Sequence, residues 1–243
     1  MQKKEWFEEW FDTEYYHILY KNRDDSEAQT FIKNLHKELD FSPNLEILDL
    51  ACVKGRHTKF LNELGLNASG CDLSQNSIST ALADTKNEID FFVHDMRDEL
   101  PKTYDVVLNL FTSFGYFEDL NDNLKVFNSV KNKLNTGGAF LIDFMNAEKV
   151  INNLVKKETK VIDGIEFHIS REYNGSHIIK SIDFKDKCRD YHFEEKVQAV
   201  KFEDFKSLAD DSGFNIINTY GDYELNSFEK EHSNRLILVL QHG

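Results

Sequence analysis

The sequence predicts an α/β fold built on a seven-stranded, mostly parallel sheet. Short apolar runs alternate with stretches of helical periodicity between residues 45 and 144, which is typical of parallel strands joined by right-handed helical crossovers. The last two apolar runs, 214–223 and 234–241, are separated by about ten residues without helical period, so they are expected to pair antiparallel. The sheet should therefore end in a reversed hairpin, with helices on both faces.

The first elements follow this alternation. Apolar residues at helical spacing predict a helix over 26–39, and a continuous apolar run predicts a buried strand over 45–50. The next helix should end at Gly65, because glycine commonly follows the last turn of a helix. A second strand is predicted over 67–73, and Ser74 is placed to cap the helix that comes after it.

Three further strands complete the parallel part of the sheet. They are predicted over 90–95, 104–111 and 138–144. A helix that ends at Gly137-Gly138 should join the last two. Its predicted buried face consists of Leu124, Phe127, Val130 and Leu134.

The pattern changes to period two after the fifth strand. Hairpin signals occur at Asp163-Gly164 and Asn174-Gly175, so an antiparallel β insertion is predicted at about 158–200. A helix with Phe205 on its buried face then precedes Gly213 and the closing hairpin.

Composition limits the classes of partner. The chain has 243 residues, with 43 acidic and 29 basic side chains and a formal charge of −14. This charge repels a phosphate backbone, so nucleic acid is not expected as a partner. No apolar run has the length of a signal peptide or a membrane span, which predicts a cytoplasmic protein without membrane contact. The three cysteines lack metal-ligand spacing, so reduced thiols and no metal site are expected.

Acidic residues at strand ends are the most informative feature. Asp49 closes the first strand, Asp72 follows it by 23 residues at the end of the second, and Asp95 ends the third. An acid about twenty residues beyond a strand–turn–helix has the spacing that binds the two hydroxyls of a ribose. A further carboxylate on the third strand could accept a hydrogen bond from an adenine amine. These positions predict a nucleoside site.

Five segments lie in a characteristic order along the chain: "ILDLACVKG", "GCDLS", "HDMR", "YDVVLNLFTSFGYF" and "NTGGAFLIDFMN". In this order they resemble the class I S-adenosylmethionine-dependent methyltransferases. The resemblance covers about 45–243 and implies a Rossmann-like fold, S-adenosylmethionine as cofactor and S-adenosylhomocysteine as product. It also implies cofactor-binding roles: Asp49, Ala51, Cys52 and Gly55 around the methionine part, Asp72 and Leu73 at the ribose and adenine, Asp95 and Met96 at the adenine edge, and Asn109, Leu110 and Phe111 beside the sulfonium.

The turn after the first strand departs from the family pattern. The family commonly has glycine at positions 51, 53 and 55, where this chain has alanine, valine and glycine. A β-branched residue that must take a positive φ costs roughly 1–2 kcal/mol. Three interpretations follow for Val53: the loop adjusts to negative φ and binds the cofactor, it binds the cofactor weakly, or catalysis is lost and the fold is kept.

The N-terminal segment has two interpretations. Residues 10–25 either form an amphipathic helix that packs on the sheet, or they form a lid over the cofactor, as in the small-molecule N-methyltransferases that the chain resembles. The lid interpretation makes residues 1–40 a helical lid segment and 41–243 the methyltransferase domain. The resemblance then implies cofactor contacts for Tyr20 and Arg23. Arg23 could bind the methionine carboxylate through its planar guanidinium, with Arg56 or His57 as rivals.

Substrate-side candidates come from two aromatic stretches. Beyond the fourth strand, Phe114 and Tyr116 lie in "NLFTSFGYF", which predicts an apolar wall facing a sulfonium or an ammonium. Tyr191 and His192 of the insertion could reach the substrate, with His192 as a candidate base. No residue identifies itself as an obligatory base.

The sequence thus predicts a methyltransferase that acts on a small molecule, with an amine as the favoured acceptor, in a monomer or homodimer. A catalytically impaired relative that serves as a binding module is the alternative. A nicotinamide-dependent oxidoreductase is disfavoured, because the loop lacks the G-x-G-x-x-G pattern.

Overall fold

The structure of the protein, a computed structural model, describes residues 5–21 and 25–242. Its helices are α1 (Trp6–Trp10), α2 (Glu14–Leu19), α3 (Asp25–Glu38), α4 (Arg56–Glu63), α5 (Gln75–Asp84), α6 (Leu120–Lys133), α7 (Ala147–Asn152) and α8 (Phe202–Ser212). Its strands are β1 (Glu46–Leu50), β2 (Asn67–Asp72), β3 (Phe91–Val93), β4 (Tyr104–Asn109), β5 (Leu134–Met145), β6 (Lys157–Ile162), β7 (Ile165–Tyr173), β8 (His177–Asp186), β9 (Arg189–Gln198), β10 (Phe214–Tyr220) and β11 (Arg235–His242).

The larger sheet has seven strands in the order β10-β11-β5-β4-β1-β2-β3. Strands β1 to β5 pair in parallel, whereas β11 is antiparallel to both β5 and β10. The reversal follows from the connection between β10 and β11, which carries no helix that could return the chain across the sheet. The predicted α/β fold with a reversed last hairpin is confirmed.

Both faces of this sheet are buried. Neighbouring residues of one strand enter different clusters: Leu48 packs with Phe127 and Phe205 on one face, while Ile47 packs with Phe31 on the other. Strands that are covered on both sides read as continuous apolar runs because neither face can be polar. This explains why β1, β4 and β5 were recognisable from sequence.

The predicted end of the helix before the fifth strand was wrong. Helix α6 ends at Lys133, and Leu134 begins β5, where it pairs with Tyr104 of β4. Its backbone is extended, with φ −90° and ψ 129°. Pairing with a neighbouring strand therefore prevailed over the helical spacing that Leu134 shares with α6.

Strands β6 to β9 form a separate four-stranded antiparallel sheet. The residues at each turn explain which of its hairpins the sequence predicted and which it did not. The β6–β7 turn uses Asp163 and Gly164 at positive φ, as their residue types favour. The β8–β9 turn uses Lys187 and Cys188 at positive φ, and its residues give no such signal.

Helices α1 and α2 pack against this second sheet. Trp10 and Tyr15 lie in one apolar cluster with Phe167 and Phe184 of the sheet. The Trp10 indole N–H also donates a hydrogen bond of 2.8 Å to Glu195 of β9. The predicted single amphipathic helix over 10–25 is wrong, because the chain turns at residues 11–13 between α1 and α2, but its apolar packing is found, against the insertion. Service of the segment as a lid remains a prediction. None of the helices in the described ranges is long and apolar enough to cross a membrane.

The start of α4 depends on a glycine. Gly55 has φ +71°, and a Cβ added there would lie 2.4 Å from ring atoms of Phe91. Gly137 also has a positive φ, +78°, but nothing lies within 4 Å of the corresponding Cβ position. Comparing alanine substitutions at these two glycines therefore distinguishes the cost of backbone strain from the cost of crowding.

We expect Gly55→Ala to lower the free energy of unfolding by roughly 2–4 kcal/mol, because strain and overpacking both act there. The control Gly137→Ala should cost only the strain, about 1–2 kcal/mol. Urea denaturation measures both values. Equal losses in the two variants would contradict the crowding against Phe91.

Candidate functional site

A cavity of about 320 Å³ lies at the carboxyl ends of β1, β2 and β4, which is within the range of small-molecule sites. Three parts of the chain line it: the N-terminal helices, the turn after β1, and the segments that follow β2, β3 and β4. The lining residues used below are Phe7, Phe11, Tyr16, His17, Tyr20, Lys21, Ala51, Cys52, Val53, Lys54, Arg56, His57, Asp72, Leu73, Asp95, Met96, Leu110, Phe111, Tyr116 and Phe117.

Asp72 forms one corner of this cavity. Its Oδ2 accepts a hydrogen bond from the Val53 N–H at 2.9 Å, and its Oδ1 accepts one from the Ser74 N–H at 2.9 Å. Burial raises the pKa of Asp72, and these N–H donors counteract that rise. Leu73 lies beside it as an apolar neighbour. The corner combines a carboxylate with an apolar surface, which suits a ribose and a base.

The turn after β1 keeps a left-handed backbone without its glycines. Ala51 has φ +67°, Val53 has φ +52° and Gly55 has φ +71°. The interpretation that the loop adjusts to negative φ is therefore wrong. Main-chain hydrogen bonds explain the conformation: the Val53 N–H binds Asp72, and the Gly55 N–H donates to the Cys52 carbonyl at 2.8 Å. These contacts hold Val53 in a conformation that costs roughly 1–2 kcal/mol.

Asp49 and Gly55 lie outside the cavity. Asp49 is fully buried beneath the turn and accepts a hydrogen bond of 2.6 Å from the Thr58 hydroxyl. Burial raises its pKa to about 6. Gly55 begins α4 against Phe91. Of the residues predicted at the methionine end, Ala51 and Cys52 do line the cavity, so Asp49 and Gly55 support the turn from below.

Asp95 lines the cavity together with Met96, and Arg97 holds its carboxylate. The Arg97 guanidinium donates to Asp95 Oδ2 at 2.7 Å, and the Arg97 backbone N–H donates to Oδ1 at 2.9 Å. Burial raises the pKa of Asp95, but the Arg97 guanidinium and N–H outweigh it, so that pKa lies below the ordinary value. Asp95 is therefore an ionised hydrogen-bond acceptor with a fixed orientation.

A second strained turn follows β4. Phe111 and Thr112 have φ +56° and +62°. The Phe111 N–H donates to Asp143 Oδ2 at 2.8 Å, and Arg235 pairs with Asp143 Oδ1 at 2.7 Å. Arg235 also donates to the Thr112 hydroxyl at 2.9 Å.

The sequence did not predict this buried Asp143–Arg235 pair. Asp143 is fully buried, and Arg235 enters β11 as its first residue. The available signal was one acid inside the apolar run "FLIDF" and one base at the start of "RLILVL" in strands predicted to be neighbours. Buried charges of opposite sign on adjacent strands favour pairing, because an unpaired buried charge is costly.

The aromatic wall is smaller than predicted. Phe111 and Tyr116 line the cavity, with Phe117 beside them. Phe114 is fully buried in the core against Phe127 and Phe205, so its predicted substrate contact is not found. Gly115 takes a positive φ, +75°, between the Phe114 ring in the core and the Tyr116 ring at the cavity.

Asn109 supports this region from inside the core. Its Nδ2 donates to the Leu50 carbonyl at 3.0 Å and to the Ser113 carbonyl at 3.3 Å. Asn109 is fully buried and lies outside the lining, whereas its neighbour Leu110 belongs to the lining. The side chain thus joins the end of β1 to the loop after β4.

Tyr20 and Arg56 both lie at the cavity. The Tyr20 hydroxyl donates to Glu195 Oε1 at 2.6 Å and accepts a hydrogen bond from Lys180. Arg56 donates to His57 Nε2 and lies 5.6 Å from the centre of the Phe111 ring, on which His57 stacks. The predicted residue Arg23 lies outside the described residues.

Tyr191 and His192 do not reach the cavity, so their predicted roles at the substrate are not supported. Tyr191 stacks on Phe184 and Tyr15 beneath the N-terminal helices. His192 is exposed on the opposite face, with Nδ1 2.7 Å from Asp183. The N-terminal helices cover the face of β9 that was expected to meet substrate, because its aromatic residues pack against Trp10 and Tyr15.

Several lining residues were missed. They are Phe7, Phe11, Tyr16 and His17 of the N-terminal helices and Lys54 of the turn. Phe11, Tyr16 and His17 belong to the aromatic N-terminal stretch. Its pattern predicted apolar packing but did not indicate which rings would face the cavity. Lys54 gave no signal, since a single lysine in a turn is usually solvated.

The chain matches known methyltransferases in sequence and in fold. Residues 47–138 match the protein family described as Methyltransferase domain. A Bacillus subtilis (strain 168) protein named "Putative methyltransferase YqeM" is 32% identical over 108 residues, which is 43% of this chain and 44% of that protein. This chain thus matches less than half the length of that curated relative.

Two solved structures share the whole fold. A S-adenosylmethionine-dependent methyltransferase from Clostridium acetobutylicum ATCC 824 has a TM-score of 0.80 at 22% identity, covering 94% of this chain and 96% of the other. CalS10 from Micromonospora echinaspora, an amino pentose methyltransferase with S-adenosylmethionine bound, has a TM-score of 0.72 at 14% identity, covering 95% and 98%. The extra antiparallel sheet lies within this shared coverage.

The raised pKa of Asp49 predicts a pH-dependent stability. A carboxyl whose pKa is about 6 in the folded state and 3.8 in the unfolded state binds protons more tightly when folded, so stability falls as pH rises from 4 through 6. The variant Asp49→Asn has no carboxyl to ionise, so its stability should not fall with pH in this way. The asparagine side chain can still accept the hydrogen bond from the Thr58 hydroxyl. We expect the variant to exceed the wild type by about 2–3 kcal/mol at pH 8 and to match it near pH 4. Urea denaturation across this range tests it, and a pH-independent difference would refute the assignment.

Val53→Gly tests whether valine obstructs the site. The Val53 N–H bond to Asp72 does not use the side chain, so glycine should keep the turn. Relief of strain and the greater freedom of the unfolded glycine oppose each other, and stability should change by less than about 1 kcal/mol. We expect the dissociation constant for S-adenosylhomocysteine to change less than about threefold by calorimetry, as in the control Ala51→Gly. A gain above tenfold would mean that the valine methyls block the ligand.

Proposed function

We propose that the chain carries a class I S-adenosylmethionine-dependent methyltransferase domain and that it methylates a small molecule, with an amine as acceptor. The observation that carries the proposal is a single cavity that joins a nucleoside-type corner, Asp72 to Met96, to an aromatic wall around Tyr116. A cofactor bound at one end then meets an acceptor at the other end of the same cavity.

The residues present fit the nucleoside part of the cofactor. Asp72 is a half-buried carboxylate with about four acceptor sites, of which backbone N–H groups use only some. The others can accept hydrogen bonds from ribose hydroxyls. Leu73 and Met96 offer apolar contacts to an adenine, and Asp95 can accept its amine.

Arg56 suits the methionine carboxylate. It stands in the first turn of α4, beside the 51–55 turn, and is held over the Phe111 ring and against His57. A guanidinium is planar and binds a carboxylate through two parallel hydrogen bonds. Arg56 is our assignment, since Arg23 lies outside the described residues.

The bound cofactor supplies an electrophilic methyl group on a sulfonium. The contribution of the chain is alignment and exclusion of water, because attack by a neutral amine moves an existing positive charge from sulfur to nitrogen and creates no new charge. Helices α1 and α2 cover the cavity with Phe7, Phe11 and Tyr16, which supports the proposal that residues 1–40 act as a lid. An unprotonated amine needs no base for attack, in keeping with an aromatic wall that offers no carboxylate.

The choice of an amine rests on two supports. Electron-rich rings of Tyr16, Tyr116 and Phe117 can stabilise the positive charge that moves onto the acceptor nitrogen and the cationic methylated product. The structural relative CalS10 acts on an amino pentose, and we extend that chemistry to this chain as part of the proposal.

Calorimetry with S-adenosylmethionine and S-adenosylhomocysteine tests the function, and we expect saturable binding of both. Arg56→Met should weaken S-adenosylhomocysteine about tenfold, as one charge-assisted contact is lost. It should leave 5′-methylthioadenosine, which lacks the carboxylate, unchanged. Absence of heat and of a thermal shift with millimolar cofactor would reject the enzyme and favour the non-catalytic binding module.

A further inference from the structure

Basic side chains gather at one side of the cavity. Lys54 and Arg56 come from the turn after β1, and His17 and Lys21 come from the last turn of α2 and the residues after it. Lys54 lies close enough to His17 to lower its pKa, second to the effect of burial. In a chain with a formal charge of −14, this concentration of positive charge does not follow from composition.

The partners of these groups differ. Lys21 pairs with Asp163 at the surface, and Arg56 donates to His57. Within residues 5–21 and 25–242, no carboxylate forms an ion pair with Lys54. Lys54, which no carboxylate of the described residues neutralises, is therefore available to a ligand beside Arg56, the residue assigned to the cofactor carboxylate.

The acids of the cavity do not neutralise Lys54. Asp72 accepts hydrogen bonds from the backbone of Val53 and Ser74, and Asp95 is held by Arg97. Both acids stand at the nucleoside corner. The cavity thus has an acidic end for hydroxyl and amine donors and a basic side for an anion.

We propose that Lys54, together with His17, binds an anionic group of the methyl acceptor, a carboxylate or a phosphate. The inference rests on the proposed function. S-adenosylmethionine brings one carboxylate, which Arg56 holds in our assignment, so a second cation in the same cavity serves a second anion. The acceptor class becomes an amine that also carries a negative group, with its amine toward Tyr116 and its anion toward Lys54.

His17 contributes a hydrogen bond rather than a charge. Burial, and then the Lys54 charge, lower its pKa, so its imidazole is neutral at pH 7. A neutral imidazole keeps one N–H donor. The Lys54 ammonium and the His17 N–H lie at the same side of the cavity and can both bind one anionic group.

The experiment titrates inorganic phosphate and acetate into protein saturated with S-adenosylhomocysteine, by calorimetry at ionic strength held constant with sodium chloride. We expect saturable binding of at least one of the two anions, and the stronger one indicates whether the acceptor carries a phosphate or a carboxylate. Lys54→Gln should weaken it at least tenfold, and Lys54→Arg should restore most of the affinity. S-adenosylhomocysteine affinity should stay within about threefold in both variants.

Lys102→Gln is the matched control, because it removes one positive charge that pairs with Glu46 at the opposite end of the sheet. It should leave anion binding unchanged. Loss of S-adenosylhomocysteine affinity in Lys54→Gln, or competition between phosphate and S-adenosylhomocysteine, would assign Lys54 to the cofactor carboxylate and overturn the inference. The inference would also be overturned if neither anion bound, or if anion binding did not depend on Lys54. Failure of the wild type to bind S-adenosylhomocysteine would instead overturn the proposed function itself.

Discussion

The cavity depends on hydrogen bonds from strained backbone N–H groups to two carboxylates, one half-buried and one fully buried. Val53, after β1, donates to Asp72, and Phe111, after β4, donates to Asp143. Both donors sit at positive φ, where a residue other than glycine costs roughly 1–2 kcal/mol. A hydrogen bond to a charged acceptor contributes about as much, roughly 1.5–3 kcal/mol. Each carboxylate can therefore hold its turn in a shape that the residue type alone disfavours.

The two carboxylates differ in how their charge is balanced, and this separates their roles. Asp143 has a full counter-charge in Arg235, so it forms a closed structural pair inside the core. Among the described residues, Asp72 accepts hydrogen bonds from N–H donors and forms no ion pair, and burial raises its pKa. A buried carboxylate without a counter-ion gains more from further donors, such as hydroxyl groups, than a paired one does. The same type of hydrogen bond thus fixes the turn after β4 through Asp143, and at the turn after β1 it leaves Asp72 able to bind a ligand.

The sequence predicted the features that depend on local pattern. Short segments of sequence are enough to identify the continuous apolar strands, the acids at their ends and the reversed hairpin. The conformation of Val53 was not predictable, because residue type favours negative φ and the decision comes from Asp72 on another strand. Phe114 and Tyr116 are two residues apart in one aromatic loop, and only the fold of that loop decides which ring is buried.

The antiparallel insertion affects the cavity only indirectly. Among the described lining residues, none comes from β6 to β9. Instead, Glu195 of β9 accepts hydrogen bonds from the Trp10 indole and the Tyr20 hydroxyl, and so fixes the helices that carry the lining rings. Tyr191 was expected at the substrate and is found under Tyr15, where it supports the same helices. A change in β9 therefore reaches the cavity through the position of α1 and α2.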